Sequence, residues 1–179
     1  AAEIPFIKLE DIDKINEELT SKGLKTAMCG PQVRTITACH GSSVCRFGCI
    51  DTYAVALELS QRYEGRPLPH KFKFGITGCP NNCARVQLND IGIMGLRFPE
   101  YGVGECNGCG ACEKTCREGA VRVVDGEAHY SEEACVGCGD CITICPMDAI
   151  GVQKEGVRFF LGGRSGRVLQ TGIEADGLI

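Results

Sequence analysis

Eight of the fourteen cysteines in this 179-residue chain fall into two runs of identical spacing. The first is Cys106-x2-Cys109-x2-Cys112-x3-Cys116, and the second is Cys135-x2-Cys138-x2-Cys141-x3-Cys145 followed by Pro146. Cysteines two residues apart are poorly placed to bridge each other but well placed to converge on one metal centre. A secreted disulfide scaffold would account for so many cysteines. The N-terminus, AAEIPFIKLE, lacks the basic start and apolar stretch of a signal peptide, so ligation is the expected use of these thiols.

Zinc also takes sites of four cysteines. Two interleaved runs of this form favour iron–sulfur, because three cysteines of a run can hold one 4Fe–4S cubane while the fourth crosses to the other. That is the spacing of bacterial two-cluster ferredoxins. It assigns Cys106, Cys109, Cys112 and Cys145 to one cluster, and Cys135, Cys138, Cys141 and Cys116 to a second. Arg117 stands after Cys116 where the second run has a proline, which loosens a turn without threatening ligation.

Six cysteines precede residue 100: Cys29, Cys39, Cys45, Cys49, Cys79 and Cys83. Cys39-x5-Cys45 in TACHGSSVC and Cys79-x3-Cys83 in TGCPNNC are each weak signals alone. Together, with a helix and a strand between them, they supply four thiolates for a third cubane. The Gly and Ser of the first loop suit backbone pressed against a cluster. Cys29 and Cys49 are read as small buried hydrophobes, the usual state of a free intracellular cysteine. His40 is read as structural, and Asn81, Asn82 and Asn89 as loop or hydrogen-bonding residues near the cofactor.

These groups need elements to position them. EIPFIKL has strand character, and DIDKINEELTSKG reads as a helix capped by Asp11 and ended by Gly23. DTYAVALELSQRYEG is apolar at helical spacing, starting at Asp51 or Thr52 and stopping at Gly65. HKFKFGIT alternates as a strand that ends on Cys79, and DIGIMGL (90–96) is another. AVRVV (120–124) and YSEEAC read as a hairpin turning at Asp125-Gly126, and DAIGV (148–152) closes the repeat. EGVRFFLGGRSGRVLQTG (155–172) reads as strand and hairpin.

The two early pairs and their flanks resemble the siroheme-containing sulfite and nitrite reductases. The resemblance implies that Cys39, Cys45, Cys79 and Cys83 hold a cubane and that Cys83 also bridges to the siroheme iron. GPQVRTITAC resembles the family's arginine-bearing stretch and LPHKFKFGITGCPNNC its lysine strand, which makes Arg34, Lys71 and Lys73 the implied catalytic cations. Lys71 and Lys73 are two apart in a strand and so share a face. Three cations over an open axial position would hold a small oxyanion and supply protons as its oxygens leave. Siroheme carries several carboxylates. Arg46, Arg85, Arg97, Arg164 and Arg167 are candidate partners, each with a solvated surface position as the alternative.

The resemblance extends past DIGIMG and implies a ferredoxin module inserted into a siroheme domain, as in dissimilatory sulfite reductases. The expected divisions are 1–103 and 153–179 for the siroheme domain and 104–152 for the two-cluster ferredoxin domain. The expected fold class is α+β, half of a siroheme-reductase fold with a mixed sheet and flanking helices. The full family fold has two pseudo-symmetric halves and carries one more arginine upstream of EIPFIKL. A fragment, or a partner completing the site in a homodimer or related hetero-oligomer, is therefore expected.

The implied activity is the six-electron reduction of sulfite to sulfide, fed by an electron-donor protein through the ferredoxin clusters. Nitrite is the alternative substrate, and a non-catalytic electron-transfer or assembly protein is the alternative class. A hydrophobic content of 44% and a charged content of 23% suit a soluble globular protein. The net charge of −4 argues against nucleic acid or a membrane surface as partner, and a cytoplasmic protein is expected.

Overall fold

The computed structural model describes residues 4–178. Helix α1 (Ile12–Ser21) follows a 3-10 turn at Leu9–Asp11. Asp11 occupies the N-cap position without making a side-chain cap bond, and Gly23 at φ +71 follows the helix end. α1 buries none of its residues, and Ile12, Ile15 and Leu19 line an open apolar groove with Ile4, Ile7 and Leu24. The described part of EIPFIKL is not a strand: Phe6 sits at φ 61, fully exposed. An extended segment needs a neighbour for its backbone hydrogen bonds, and among the described residues no sheet edge pairs with this one.

Strand β1 (Thr37–Ala38) leads into helix α2 (Thr52–Tyr63), strand β2 (Phe74–Thr77) and strand β3 (Ile91–Tyr101). α2 starts where expected, because the Asp51 carboxylate accepts from the backbone N–H groups of Tyr53 and Ala54 at 3.0 and 3.1 Å. It is the crossover that the parallel pairing of β1 with β2 requires. β2 is shorter than HKFKFGIT. Its four residues are all buried, and a strand covered on both faces cannot extend into two lysines. Phe72 keeps only a single bridge to Val33.

β3 pairs parallel with β2 and runs on well past residue 96. It leads into helix α3 (Ala111–Thr115), strands β4 (Val121–Val124) and β5 (Glu127–Tyr130), and helix α4 (Asp140–Ile144). The chain returns as β6 (Ile150–Leu161), antiparallel to β3 from Ile91↔Leu161 to Tyr101↔Ile150. The register shifts at Phe98/Pro99, where proline has no N–H to give the ladder. β7 (Ile173–Glu174) completes the order β1-β2-β3-β6-β7, a mixed sheet. Val86, Met94, Leu96 and Phe160 form its core cluster.

Segment 102–149 therefore leaves and re-enters the main sheet at one residue pair. Inside it the cysteine repeat is also a structural repeat. Gly110 and Gly139, at φ 73 and 71, each precede a five-residue helix carrying the buried third cysteine, Cys112 or Cys141. Cys116 and Cys145 follow in extended conformation at the helix ends. The hairpin turns at Asp125 (φ 52) and Gly126 (φ 84), but its second strand is EAHY rather than YSEEAC. A two-residue turn with both residues at positive φ restarts pairing at once, so the strand is spent by Tyr130.

Candidate functional site: three cysteine-faced cavities

β1 and β2 are parallel neighbours, so the loops after them leave the same edge of the sheet, where parallel sheets place their ligands. Those loops carry Cys39 and Cys45, and Cys79 and Cys83. All four line one cavity of about 670 Å³. The Thr52 hydroxyl donates to Cys39 O at 2.5 Å, and the Gly78 N–H donates to Cys39 Sγ at 3.1 Å. The Asn81 amide donates to Cys79 Sγ at 3.5 Å. Gly41, at φ +58, serves the loop rather than the cavity: a Cβ there would sit 2.7 Å from Thr52 N and 2.8 Å from Ile50 O. Cys79 is buried and Cys83 exposed.

A second cavity, about 520 Å³, is lined by Cys106, Cys109, Cys112 and Cys145. A third and narrower one is lined by Cys116, Cys135, Cys138 and Cys141. The last cysteine of each run thus faces the other run's cavity. Burial raises the Cys79 thiol above its ordinary range, with Cys39 and Cys45 adding to the rise. Burial does the same to Cys112, with Cys106 and Cys109 beside it, and pushes Cys141 up to about 11 with Cys138 and Cys135 beside it. Such sets resist ionising together unless a positive centre sits among them. The Tyr101 hydroxyl is buried without a hydrogen-bond partner among the described residues and faces the Cys141 sulfur. A thiolate held there in a cluster would give it an acceptor.

Residues 29–175 match the family model "Nitrite and sulphite reductase 4Fe-4S domain". The chain belongs to this family. It is 40% identical over 164 residues to a coenzyme F420-dependent sulfite reductase of Methanocaldococcus jannaschii, covering 92% of this chain and 26% of that protein. It is 32% identical over 148 residues to one of the subunits of the anaerobic sulfite reductase of Salmonella typhimurium, covering 73% of this chain and 43% of that one. The crystal structure of dissimilatory sulfite reductase I matches with a TM-score of 0.76 at 21% identity, over 96% of this chain and 47% of that chain. The likeness shows a shared fold, and the expected mixed-sheet α+β architecture is borne out. The chain spans less than half the length of each of these relatives.

In this family member the expected cations lie in several places. Arg34, Lys71 and Lys73 are absent from the lining of the cavity that Cys39 and Cys79 face. Arg34 is half-buried and donates to Gly30 O at 3.0 Å and to Cys29 Sγ at 3.5 Å. Cys29 is exposed, not buried as its type led us to expect, because it lies in a loop before the first strand of the sheet. Lys71 is exposed. Lys73 Nζ donates to Ser165 Oγ at 2.8 Å and to Leu88 O at 3.3 Å.

Arg46 lines the cavity and stacks on Phe47, 4.6 Å from the ring centre. Arg85 is exposed, two residues after Cys83, at φ 48. Arg164 and Arg167 lie on an exposed turn closed by paired backbone bonds between Arg164 and Gln170. Arg97 is committed elsewhere, donating to Glu155 Oε2 at 3.0 Å and Cys49 O at 3.1 Å.

Lys114, Arg117 and Asp140 also line the cavity, and sequence reasoning gave none of the three a place there. Arg117 Nη1 donates to Asn81 Oδ1 at 2.9 Å and Nη2 to Asp140 Oδ2 at 3.2 Å. The one signal was its place after Cys116, where the repeat's other copy has proline. Cys49 is buried as expected, and burial pushes its thiol up to about 12. Among the described residues no helix is long and apolar enough to cross a membrane.

Proposed function

We propose that the chain holds three 4Fe–4S clusters and siroheme and serves the six-electron reduction of sulfite to sulfide. Cys106, Cys109, Cys112 and Cys145 hold one cluster, Cys116, Cys135, Cys138 and Cys141 the second, and Cys39, Cys45, Cys79 and Cys83 the third. One observation carries this reading: the fourth cysteine of each run lines the other run's cavity, the exchange that two neighbouring cubanes need. Segment 102–149 is then an inserted ferredoxin lobe on the β3–β6 stalk.

Siroheme, when bound through Cys83, supplies the iron at which the oxyanion is reduced. Cys83 is exposed, which suits contact with such a second partner. Arg46, Lys114 and Arg117 bring positive charge to the cavity and suit the carboxylates of the macrocycle. Lys73, steadied by Ser165, joins Arg34 and Lys71 in holding the oxyanion, and the two lysines would hand over protons. The apolar groove beside α1 supports assembly as a homodimer or related hetero-oligomer, supplied by a donor protein.

Sulfite is the substrate that the relatives' names support, and nitrite is the alternative because the family model names both. A non-catalytic electron-transfer or assembly role is favoured by the absence of Arg34, Lys71 and Lys73 from the cavity lining. The anaerobic absorption spectrum separates these readings. Siroheme bands that shift with sulfite or carbon monoxide support the enzyme, and iron–sulfur features alone overturn it. Turnover with each anion and a reduced viologen identifies the substrate. Lys73→Ala is expected to abolish reduction and leave the chromophores intact.

A further inference from the structure

Two of the three cavities share Asn81, Arg117 and Asp140 in their linings, and behind them Cys49 joins their cysteine loops. Cys49, only 7% exposed, donates its backbone N–H to Gly78 O at 2.7 Å. Its thiol donates to Cys138 O at 3.4 Å. Gly78 precedes Cys79, so this single residue joins a cysteine of one cavity to a cysteine of another by two hydrogen bonds. Arg97 holds the junction in place. It donates Nη2 to Cys49 O at 3.1 Å and its backbone N–H to Gly137 O at 2.8 Å, while Glu155 anchors Nε at 3.0 Å. A second polar chain, Cys79–Asn81–Arg117–Asp140, spans the same gap. Both links end on the Cys135–Cys141 loop.

We propose that Cys49 is the electronic link between the cavity of Cys116, Cys135, Cys138 and Cys141 and the cavity of Cys39, Cys45, Cys79 and Cys83. This rests on the three-cluster reading above. Tunnelling decays more slowly through covalent and hydrogen bonds than across space, and the path Cys138 O, Cys49, Gly78 O, Cys79 has no open gap. The link sets an order: the Cys106, Cys109, Cys112 and Cys145 site is remote, the Cys138 site is proximal, and the Cys79 site is the acceptor. Each crossing moves one electron. The proximal site is oxidised by one, the acceptor site is reduced by one, and no bond or proton changes hands. A low-potential one-electron reductant supplies the electron. The amide bond is open to any residue at this position, but a side chain that merely filled space would not commit a thiol donor to Cys138 O across the junction.

The test uses the anaerobically purified holoprotein with Cys49→Ala, which removes the donor, and Cys49→Ser, which keeps one. Electrons are injected by rapid mixing with reduced viologen, and freeze-quench EPR times their arrival at the acceptor cluster. The expected result is arrival slowed severalfold in Cys49→Ala and restored in Cys49→Ser, with iron content and magnetic coupling between clusters unchanged. Wild-type timing in an iron-replete Cys49→Ala protein overturns the proposal. If Cys49→Ala sheds iron, Cys49→Val, which fills the space without a donor, decides by the same readout. About eight irons in the wild-type chain, instead of about twelve, overturns the three-cluster reading itself, which the iron count alone makes plain.

Discussion

Arg117 donates to the side-chain oxygen of Asn81 at 2.9 Å, across thirty-six positions of sequence, and Asn81 donates on to the sulfur of Cys79. The same guanidinium reaches the buried Asp140 carboxylate and lies 5.8 Å from the Phe47 ring centre. Removing it strands a carboxylate that is 9% exposed. Arg117→Ala is therefore expected to cost about 1–3 kcal/mol. Thermal unfolding under anaerobic conditions should show a Tm lower by several degrees, with partial recovery in Arg117→Lys, which keeps the charge but not the fork.

Gly41 is the residue on which the first cysteine loop turns. Its φ of +58 disfavours any side chain, and a Cβ would strike backbone atoms of Ile50 and Thr52. Gly41→Ala should displace Cys39 and Cys45 together, and on the proposed three-cluster content iron per chain should fall from about twelve to about eight. Gly166→Ala, where a Cβ meets open space, is the control and should keep its full iron.

Tyr101 has a hydroxyl that no group among the described residues satisfies, while Cys141, Cys112 and Cys116 stand around it. Burial, with those sulfurs beside it, holds the phenol well above its ordinary range, so it remains a donor. A hydrogen bond to a cluster sulfur favours the reduced cluster. Tyr101→Phe should lower the midpoint potential of the cluster proposed at Cys116, Cys135, Cys138 and Cys141, whose Cys141 sulfur the hydroxyl faces, in an EPR-monitored titration. Fold stability should barely change, since no protein partner is lost.

Cys29 and Cys49 lie outside the three four-cysteine sets, and they should behave oppositely toward iodoacetamide. Cys29 is exposed and should be alkylated first. Burial raises Cys49 from 9.0 to about 12, so the folded chain keeps a proton that the unfolded chain gives up above pH 9.0. The stability from this thiol is whole below pH 9.0 and is lost as pH rises toward 12. Mass spectrometry of native holoprotein labelled between pH 7 and pH 9.0 should find Cys29 modified and Cys49 untouched. Early labelling of Cys49 would contradict its burial.

Local chemistry was legible in the linear chain. The cysteine runs, the Asp51 cap, the helix after it and the Asp125-Gly126 turn each depend on residues only a few positions apart. The strands fared unevenly for a reason visible in β3. Its length comes from β6, whose pairing residue for Tyr101 is Ile150, and no local pattern announces a partner so distant. EIPFIKL shows the converse, strand-like residues with no described edge to join.

By itself, the sequence determined which sulfurs one loop can gather, because that depends on spacing along a short stretch of backbone. Only the tertiary structure decided which loops meet. It set Cys49 between Gly78 and Cys138, turned Lys73 toward Ser165, and brought Arg117 to Asn81. Those contacts follow from parallel strands ending at one sheet edge and from a stalk that returns segment 102–149 to it. Both are long-range pairings, whose gain is realised only once the whole sheet has formed.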